Sequence, residues 1–353
     1  MFKQNLRITA KKHGKLPKNC GSFCRVFFFA LSLLFVLGLT GCSSPPETMD
    51  YFAMDTYIET TAYGKNAADF LLAVNGDTVR LESVFSAHSE KSELYLLNTE
   101  GEAPSEELRA LIAEAISISE LTEGNFDPTL FPVSRLWSFG GGAQIPSAKD
   151  ISAALSSSGY EKVSITPSGI DLGKTEIDLG GIAKGYAADR FVSLAEEFGI
   201  ESAMGSFGGM VAVVGTKPGG SLWKIGMRDP SENGYAAILN VSDVCISTSG
   251  AYERYFTSNG KVYHHILDPE NGYPAESDLL SVTVIDESGT RSDALSTALF
   301  VMGESKAAEF CAENGICAIF ITNDGRFLTA GGAEKLVTQV SEKYVLVPIF
   351  ENK

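Results

Sequence analysis

Cysteine, histidine and tryptophan are scarce in this 353-residue chain, which has six, four and two of them respectively. No Cys-x-x-Cys pair and no Cys/His spacing of a zinc site occurs, so neither dithiol redox chemistry nor a structural zinc centre is supported. Basic charge is also thin. Seven basic residues (Lys3, Arg7, Lys11, Lys12, Lys15, Lys18, Arg25) fall in the first 41 positions, which contain no acid, leaving 21 basic against 44 acidic residues beyond Gly41. A surface that acidic repels phosphate backbones, so nucleic acid is not an expected partner, and a phosphorylated ligand needs a local metal ion or backbone donors. Linkers, low-complexity tracts and repeats are absent after Tyr51. The composition, 44% hydrophobic and 20% charged, is that of a chain with a sizeable core.

What is present begins with a leader. The basic N-terminus runs into an apolar stretch, Val26 to Leu39, too short for a comfortable membrane span, and then Leu39-Thr40-Gly41-Cys42. This resembles the lipobox of bacterial lipoproteins, with an uncleaved anchor helix as the alternative. The resemblance implies a signal peptide over 1–41, a diacylglyceryl thioether on Cys42 with a tether over 42–50, and a catalytic domain over 51–349. The protein is then lipid-anchored at the extracytoplasmic face of the cell membrane. Cys20 and Cys24 leave with the signal. Cys245, Cys311 and Cys317 remain, either with a Cys311–Cys317 disulfide or as scattered buried thiols.

Periodicity places a helix on Leu108, Leu111, Ile112, Ala115 and Ile116 behind Ser105 as N-cap, a second on Ala183, Tyr186, Ala187, Phe191 and Leu194, and a third that starts at Asp293. Val- and Ile-rich runs at 210–214, 223–227, 236–240, 279–285, 317–321 and 344–349 read as strands. Without regular βαβ alternation, the fold class is α+β, built of mixed or antiparallel sheets with packed helices in one domain or two intimately packed lobes.

Three segments carry groups suited to chemistry. Asp293 and Thr297 stand one helical turn apart, so a carboxylate and a hydroxyl share a face, a hard-oxygen pair that suits Mg²⁺; a helix cap is the other reading. His264 and His265 are adjacent in a strand and point opposite ways, so one of them at most faces a given site. A neutral imidazole there accepts a proton from an attacking hydroxyl, unless it is a hydrogen-bonded structural histidine. Asp178-Leu179-Gly180-Gly181 leads into a helix through paired glycines, where backbone groups approach a ligand closely.

In order along the chain, Met54-Asp55-Thr56, Ser92-Glu93-Leu94 with Asn98, Gly124 to Thr129, Leu136 to Gly140, Asp178 to Tyr186, Gly208-Gly209, Thr248-Ser249-Gly250, His265 to Pro269 and Asp293 to Thr297 together resemble the ApbE family, the FAD:protein FMN transferases. The resemblance covers essentially the whole chain after the leader. It implies a Mg²⁺-dependent enzyme that cuts FAD and transfers FMN to a Thr or Ser hydroxyl of an exported acceptor protein, such as a redox-complex subunit, with AMP leaving. By position, Asp293, Thr297 and the Gly181 carbonyl would hold Mg²⁺, and His265 would be the general base. FAD contacts would fall on Met54, Asn125, Phe126, Asp127, Asp178, Lys184, Ser249, Glu253, Ile266 and Leu267. Departures from the family pattern are His88, a candidate stacking partner for the flavin or a surface histidine, Ser206-Phe207 before Gly208, and Glu270-Asn271-Gly272 after Asp268-Pro269. An FAD pyrophosphatase and a non-catalytic flavin-binding lipoprotein are the competing readings.

Overall fold

The strand Cys317–Thr322 shows what the centre of the molecule demands. Ala318 and Phe320 enter one core cluster while Ile319 and Ile321 enter another, so the strand is buried on both faces. A run that is apolar on both faces must lie between two layers. The computed structural model describes residues 45–139, 144–166 and 169–348. The expected signal segment 1–41, Cys42, Gly140 and Ile349 lie outside the described residues.

In chain order the strands are β1 (Glu47–Ala53), β2 (Thr56–Ala62), β3 (Ser164–Thr166), β4 (Gly169–Asp171), β5 (Ser202–Phe207), β6 (Met210–Gly215), β7 (Trp223–Arg228) and β8 (Tyr235–Val241). They continue as β9 (Val244–Gly250), β10 (Tyr255–Ser258), β11 (Lys261–His264), β12 (Leu279–Asp286), β13 (Cys317–Thr322), β14 (Arg326–Ala330), β15 (Val337–Val340) and β16 (Val345–Pro348). The helices are α1 (Ala67–Phe85), α2 (Glu93–Glu100), α3 (Glu106–Leu121), α4 (Phe131–Trp137), α5 (Ala148–Ser156), α6 (Ala183–Glu197) and α7 (Gly289–Asn314). The central sheet has the order β1-β2-β5-β6-β9-β12-β13-β14-β16 and is antiparallel except for the β14–β16 pair. One face packs on α1, α6 and α7 through Phe70, Phe191, Leu295, Val284 and Phe320. The other packs on the small sheet β15-β8-β7 through Trp223, Ile225, Leu239, Ile246 and Ile321. This is the α+β class read from the sequence.

The six expected strands are present with boundaries shifted by a residue or so, and α3 starts behind Ser105, whose Oγ accepts the Leu108 N–H at 3.3 Å. Two readings need correction. The helix carrying Asp293 starts four residues earlier, at Gly289, because Ser288 caps it and Asp189 of α6 accepts the N–H groups of Gly289 and Thr290. Strand β9, Val-Cys-Ile-Ser-Thr-Ser-Gly, was absent from the expected strands, because its buried Ser247 and Ser249 break the apolar pattern. Cys245, Cys311 and Cys317 are free thiols, and burial pushes Cys311 up to about 12.

The α6–α7 crossing is reciprocal. While Asp189 of α6 caps α7, Asp293 of α7 accepts the N–H of Gly185 in the first turn of α6 at 3.0 Å. Two glycines permit that approach: a Cβ on Gly185 would stand 2.2 Å from the Gly289 carbonyl oxygen and 2.8 Å from the Asp293 Cβ. Gly185→Ala is therefore expected to force the helices apart and to lower stability by about 2–3 kcal/mol, despite alanine's better helix propensity, as read by denaturant melting.

Candidate active site

The corner between α6, α7 and β9 is rich in oxygen. Asp293 is 5% exposed; its Oδ1 accepts from Ser247 Oγ at 2.9 Å and its Oδ2 from the Gly185 N–H. Lys184 Nζ stands 3.7 Å from Oδ2 and donates to the Gly180 carbonyl at 3.1 Å. One turn further along α7, Thr297 Oγ1 lies 3.2 Å from Ser249 Oγ, which also pairs with Ser296 Oγ at 2.8 Å. In a continuing helix the Gly185 N–H would donate to the Gly181 carbonyl. Because α6 begins only at Ala183, this first-turn N–H bonds Asp293 instead, and the Gly181 carbonyl precedes the helix. Gly181 is close to the pair: a Cβ on it would be 4.0 Å from Thr297 Oγ1 and 3.2 Å from the Phe126 ring.

These groups fit a hard divalent cation. Among the described residues no cluster of three or more His, Cys, Asp or Glu side chains is placed to hold a metal. An ion here would take one carboxylate, one hydroxyl and one carbonyl, and fill its remaining positions with water and phosphate oxygens, which is how Mg²⁺ is usually held beside a diphosphate.

The candidate base is one of two adjacent histidines. His264, the last residue of β11, is buried edge-on to Phe300, and its Nε2 lies 3.1 Å from the Ala275 carbonyl. His265 lies just past the end of β11, so the two histidines do not share the strand expected of them, and its ring meets Arg254 instead. Its main-chain N–H donates to the Arg254 carbonyl at 3.0 Å, and its Nδ1 lies 3.3 Å from the same oxygen. A carbonyl has no proton to give, so Nδ1 carries the hydrogen and Nε2 presents a bare lone pair. Burial, reinforced by the charges of Arg254 and Lys184, pushes His265 down from 6.5 to about 4. The ring is thus neutral at neutral pH. The sign is that of a depressed base: His265 favours the folded state above about pH 6.5, and this contribution disappears as pH falls toward about 4.

Turns at one end of the central sheet close the cleft. Met54 and Asp55, both with left-handed backbone (φ 51° and 58°), form the β1–β2 turn, and the Met54 N–H donates to Glu82 at 3.3 Å. The Gly208-Gly209 turn between β5 and β6 abuts it: a Cβ on Gly208 would overlap Thr56, and one on Gly209 would lie 3.2 Å from Glu253 Oε1. Solvent reaches Glu253, yet the walls of the cleft crowd its carboxyl. That desolvation pushes its pKa up, with Lys184 opposing and Asp293 adding to the shift. The Lys184 charge therefore bears on Asp293, Glu253 and His265 alike.

Other expected ligand residues are committed elsewhere. Asp127 accepts from the Thr129 N–H at 2.8 Å, from Thr129 Oγ1 at 2.6 Å and from the Tyr160 N–H at 3.2 Å, so its carboxylate shapes the loop. Asn125 bonds the Thr122 carbonyl at 2.8 Å. Asp178 Oδ1 holds the Gly180 N–H at 2.8 Å, fixing the paired-glycine turn. Ile266 and Leu267 are buried in two different core clusters, so a ligand would meet their main chain. His88 is exposed and edge-on to Phe131 at 5.3 Å, in keeping with the surface-loop reading. Phe207 is fully buried against Phe191, and Asn271 Nδ2 donates to Asp268 Oδ2 at 2.6 Å, so both departures have structural explanations.

Two contributions lie outside the expected ligand set, Ser247 without any sequence signal and Asn98 as a motif residue given no role. Ser247 supports Asp293 from a neighbouring strand. Asn98 clamps the segment before Asp178, donating Nδ2 to the Ile177 carbonyl and accepting the Ile177 N–H through Oδ1, both at 2.8 Å. Asn98→Ala is expected to orphan both main-chain groups, cost about 2 kcal/mol and slow turnover roughly tenfold by loosening Asp178–Gly181, as seen in melting and steady-state rates together.

Comparison with known proteins follows the same lines. The family model "ApbE family" matches residues 54–320. The FAD:protein FMN transferase of Treponema pallidum is 31% identical over 92% of this chain and 99% of its own, and that of Salmonella typhimurium is 30% identical over 86% and 93%. Among solved structures, the ApbE protein of Thermotoga maritima shares 34% identity at a TM-score of 0.79, covering 84% of this chain and 100% of that one. The flavinyl transferase ApbE of Pseudomonas stutzeri shares 29% at 0.77, covering 86% and 100%.

Proposed function

The chain belongs to the ApbE family, and from that premise we propose that it is an FAD:protein FMN transferase: a Mg²⁺-dependent enzyme that attaches FMN by a phosphoester bond to a Thr or Ser hydroxyl of an exported protein and releases AMP. The observation that carries the reading is the meeting, through Lys184, of the Asp293–Thr297–Gly181 oxygen corner with a neutral His265 whose Nε2 is bare. One side suits a diphosphate and the other suits a hydroxyl.

The step follows from those groups. The acceptor hydroxyl gives its proton to His265 Nε2 as its oxygen attacks the phosphorus on the FMN side of FAD. The bond from that phosphorus to the bridging oxygen breaks, and AMP leaves with that oxygen. Asp293, Thr297 and the Gly181 carbonyl would hold Mg²⁺, which supplies charge neutralisation at the diphosphate. Lys184 adds a second positive charge, and the Arg254 carbonyl keeps the ring of His265 in its accepting form. On this reading the ion and Lys184 offset the acidity of the chain where a phosphorylated ligand binds.

The N-terminal segment completes the reading. Lipidation of Cys42 would place the enzyme on the extracytoplasmic face of the cell membrane, where exported acceptors such as redox-complex subunits are within reach of a short tether. Glu270, exposed in the turn that follows His265 in the chain, would give acceptor recognition its own local character. The test is AMP release from FAD, with and without Mg²⁺ and an acceptor. Release that needs both supports transfer, whereas release with free FMN and no need for an acceptor would indicate a pyrophosphatase.

A further inference from the structure

Arg254 meets both His265 and Asp55 without belonging to the expected ligand set. Its main-chain carbonyl accepts the His265 N–H at 3.0 Å and lies 3.3 Å from His265 Nδ1. Its guanidinium reaches the opposite wall, where Nη2 stands 2.9 Å from Asp55 Oδ2 and 3.3 Å from the Asp55 carbonyl oxygen. Asp55 is half of the left-handed turn that also presents Met54. One residue thus grips the base with its backbone and the Met54 turn with its side chain.

We propose that Arg254 is a positioning residue for flavin transfer: its carbonyl fixes the His265 ring with Nε2 bare, and its guanidinium, held by Asp55, locks the Met54–Asp55 turn to the base. The proposal rests on the flavin-transferase reading. A surface ion pair between exposed partners adds little stability. This one joins the β1–β2 hairpin to the segment that leads into β10, nearly 200 residues away in the chain, so its expected effect is on geometry and field. Arg254 itself, Lys184 from α6 and His264 from β11 each oppose protonation of His265, while Glu253, next to Arg254 in the chain, and Asp293 bear the opposite charge around Lys184. Removing the guanidinium removes one of the groups that oppose protonation and unties the turn.

The experiment compares wild type, Arg254→Met, Asp55→Asn, the double variant and Lys261→Met in the full chain in detergent. Lys261→Met is the control, because it breaks an exposed ion pair with Glu276 on the same β10–β11 hairpin. Ring NMR of His265, which needs no substrate, should show the Nδ1–H tautomer in wild type and a titration displaced to higher pH in Arg254→Met. The acid limb of the kcat profile should move the same way, with kcat at neutral pH falling roughly tenfold, and the double variant should be no worse than Arg254→Met within about twofold. Lys261→Met should match wild type. An Nε2–H tautomer in wild type, an unmoved His265 titration, or a loss confined to KM for FAD would each overturn the proposal. Failure of wild type to release AMP would reject the flavin-transferase reading instead, while the ring titration still decides whether Arg254 governs His265.

Discussion

Asp293→Asn should leave a folded protein whose AMP release falls about a thousandfold and no longer responds to Mg²⁺. Asparagine keeps an oxygen for the Gly185 N–H and has an amide to offer Ser247 Oγ, so the α6–α7 crossing survives and the charge alone is removed. That charge is the single anionic ligand of the proposed metal corner. Several kcal/mol of stabilisation at the diphosphate depend on the ion it would hold, and each 1.36 kcal/mol is a factor of ten in rate. Asp293→Ala would confound this with loss of the α6 cap, so the isostere is the sharper variant. Mg²⁺-dependent turnover within tenfold of wild type, in a protein with an unchanged melting temperature, would remove Asp293 from the metal site.

The second large effect belongs to His265. Replacement by Gln should lower FMN transfer by about 10²–10⁴-fold with FAD affinity nearly unchanged, because the group lost acts on the acceptor's proton and not on the flavin. The wild-type profile carries the same argument. With the ring pushed down to about 4, activity should hold through mildly acidic pH and decline only as His265 protonates. His264→Gln should affect stability more than turnover, since that ring is buried against Phe300 with its Nδ1 lacking a partner. Equal loss of transfer in both variants would mean that the opposed facing of the two rings has no catalytic meaning.

Much of this architecture was legible in local pattern. The i, i+3, i+4 spacing behind Ser105 and the two-sided apolar run of β13 each follow from what a buried face requires. Strand alternation was expected to set the two histidines apart, but β11 ends at His264 and it is the bend after it that carries His265 to Arg254. The true start of α7 was hidden, because Asp189 caps it from another helix. Strand β9 was hidden because Ser247 and Ser249 stand among its buried residues, and their partners, Asp293, Ser296 and Thr297, are far away in sequence. The site's assignment owed more to the order of its motifs than to spacing: an Asp and a Thr one turn apart do not reveal that Gly185 gives its N–H to that Asp. Asn98 and Arg254 act on main-chain groups of Ile177 and His265, and a main-chain partner leaves no trace in the identity of the residue it meets.

The most direct measurement is to incubate the protein with FAD, Mg²⁺ and exported proteins bearing exposed Thr-containing segments, following AMP release and acceptor mass together. The account predicts a mass gain of one FMN on a Thr-bearing acceptor, matched mole for mole by AMP and lost in His265→Gln. FAD bound without any AMP, or AMP matched only by free FMN in the presence of every acceptor, would contradict it.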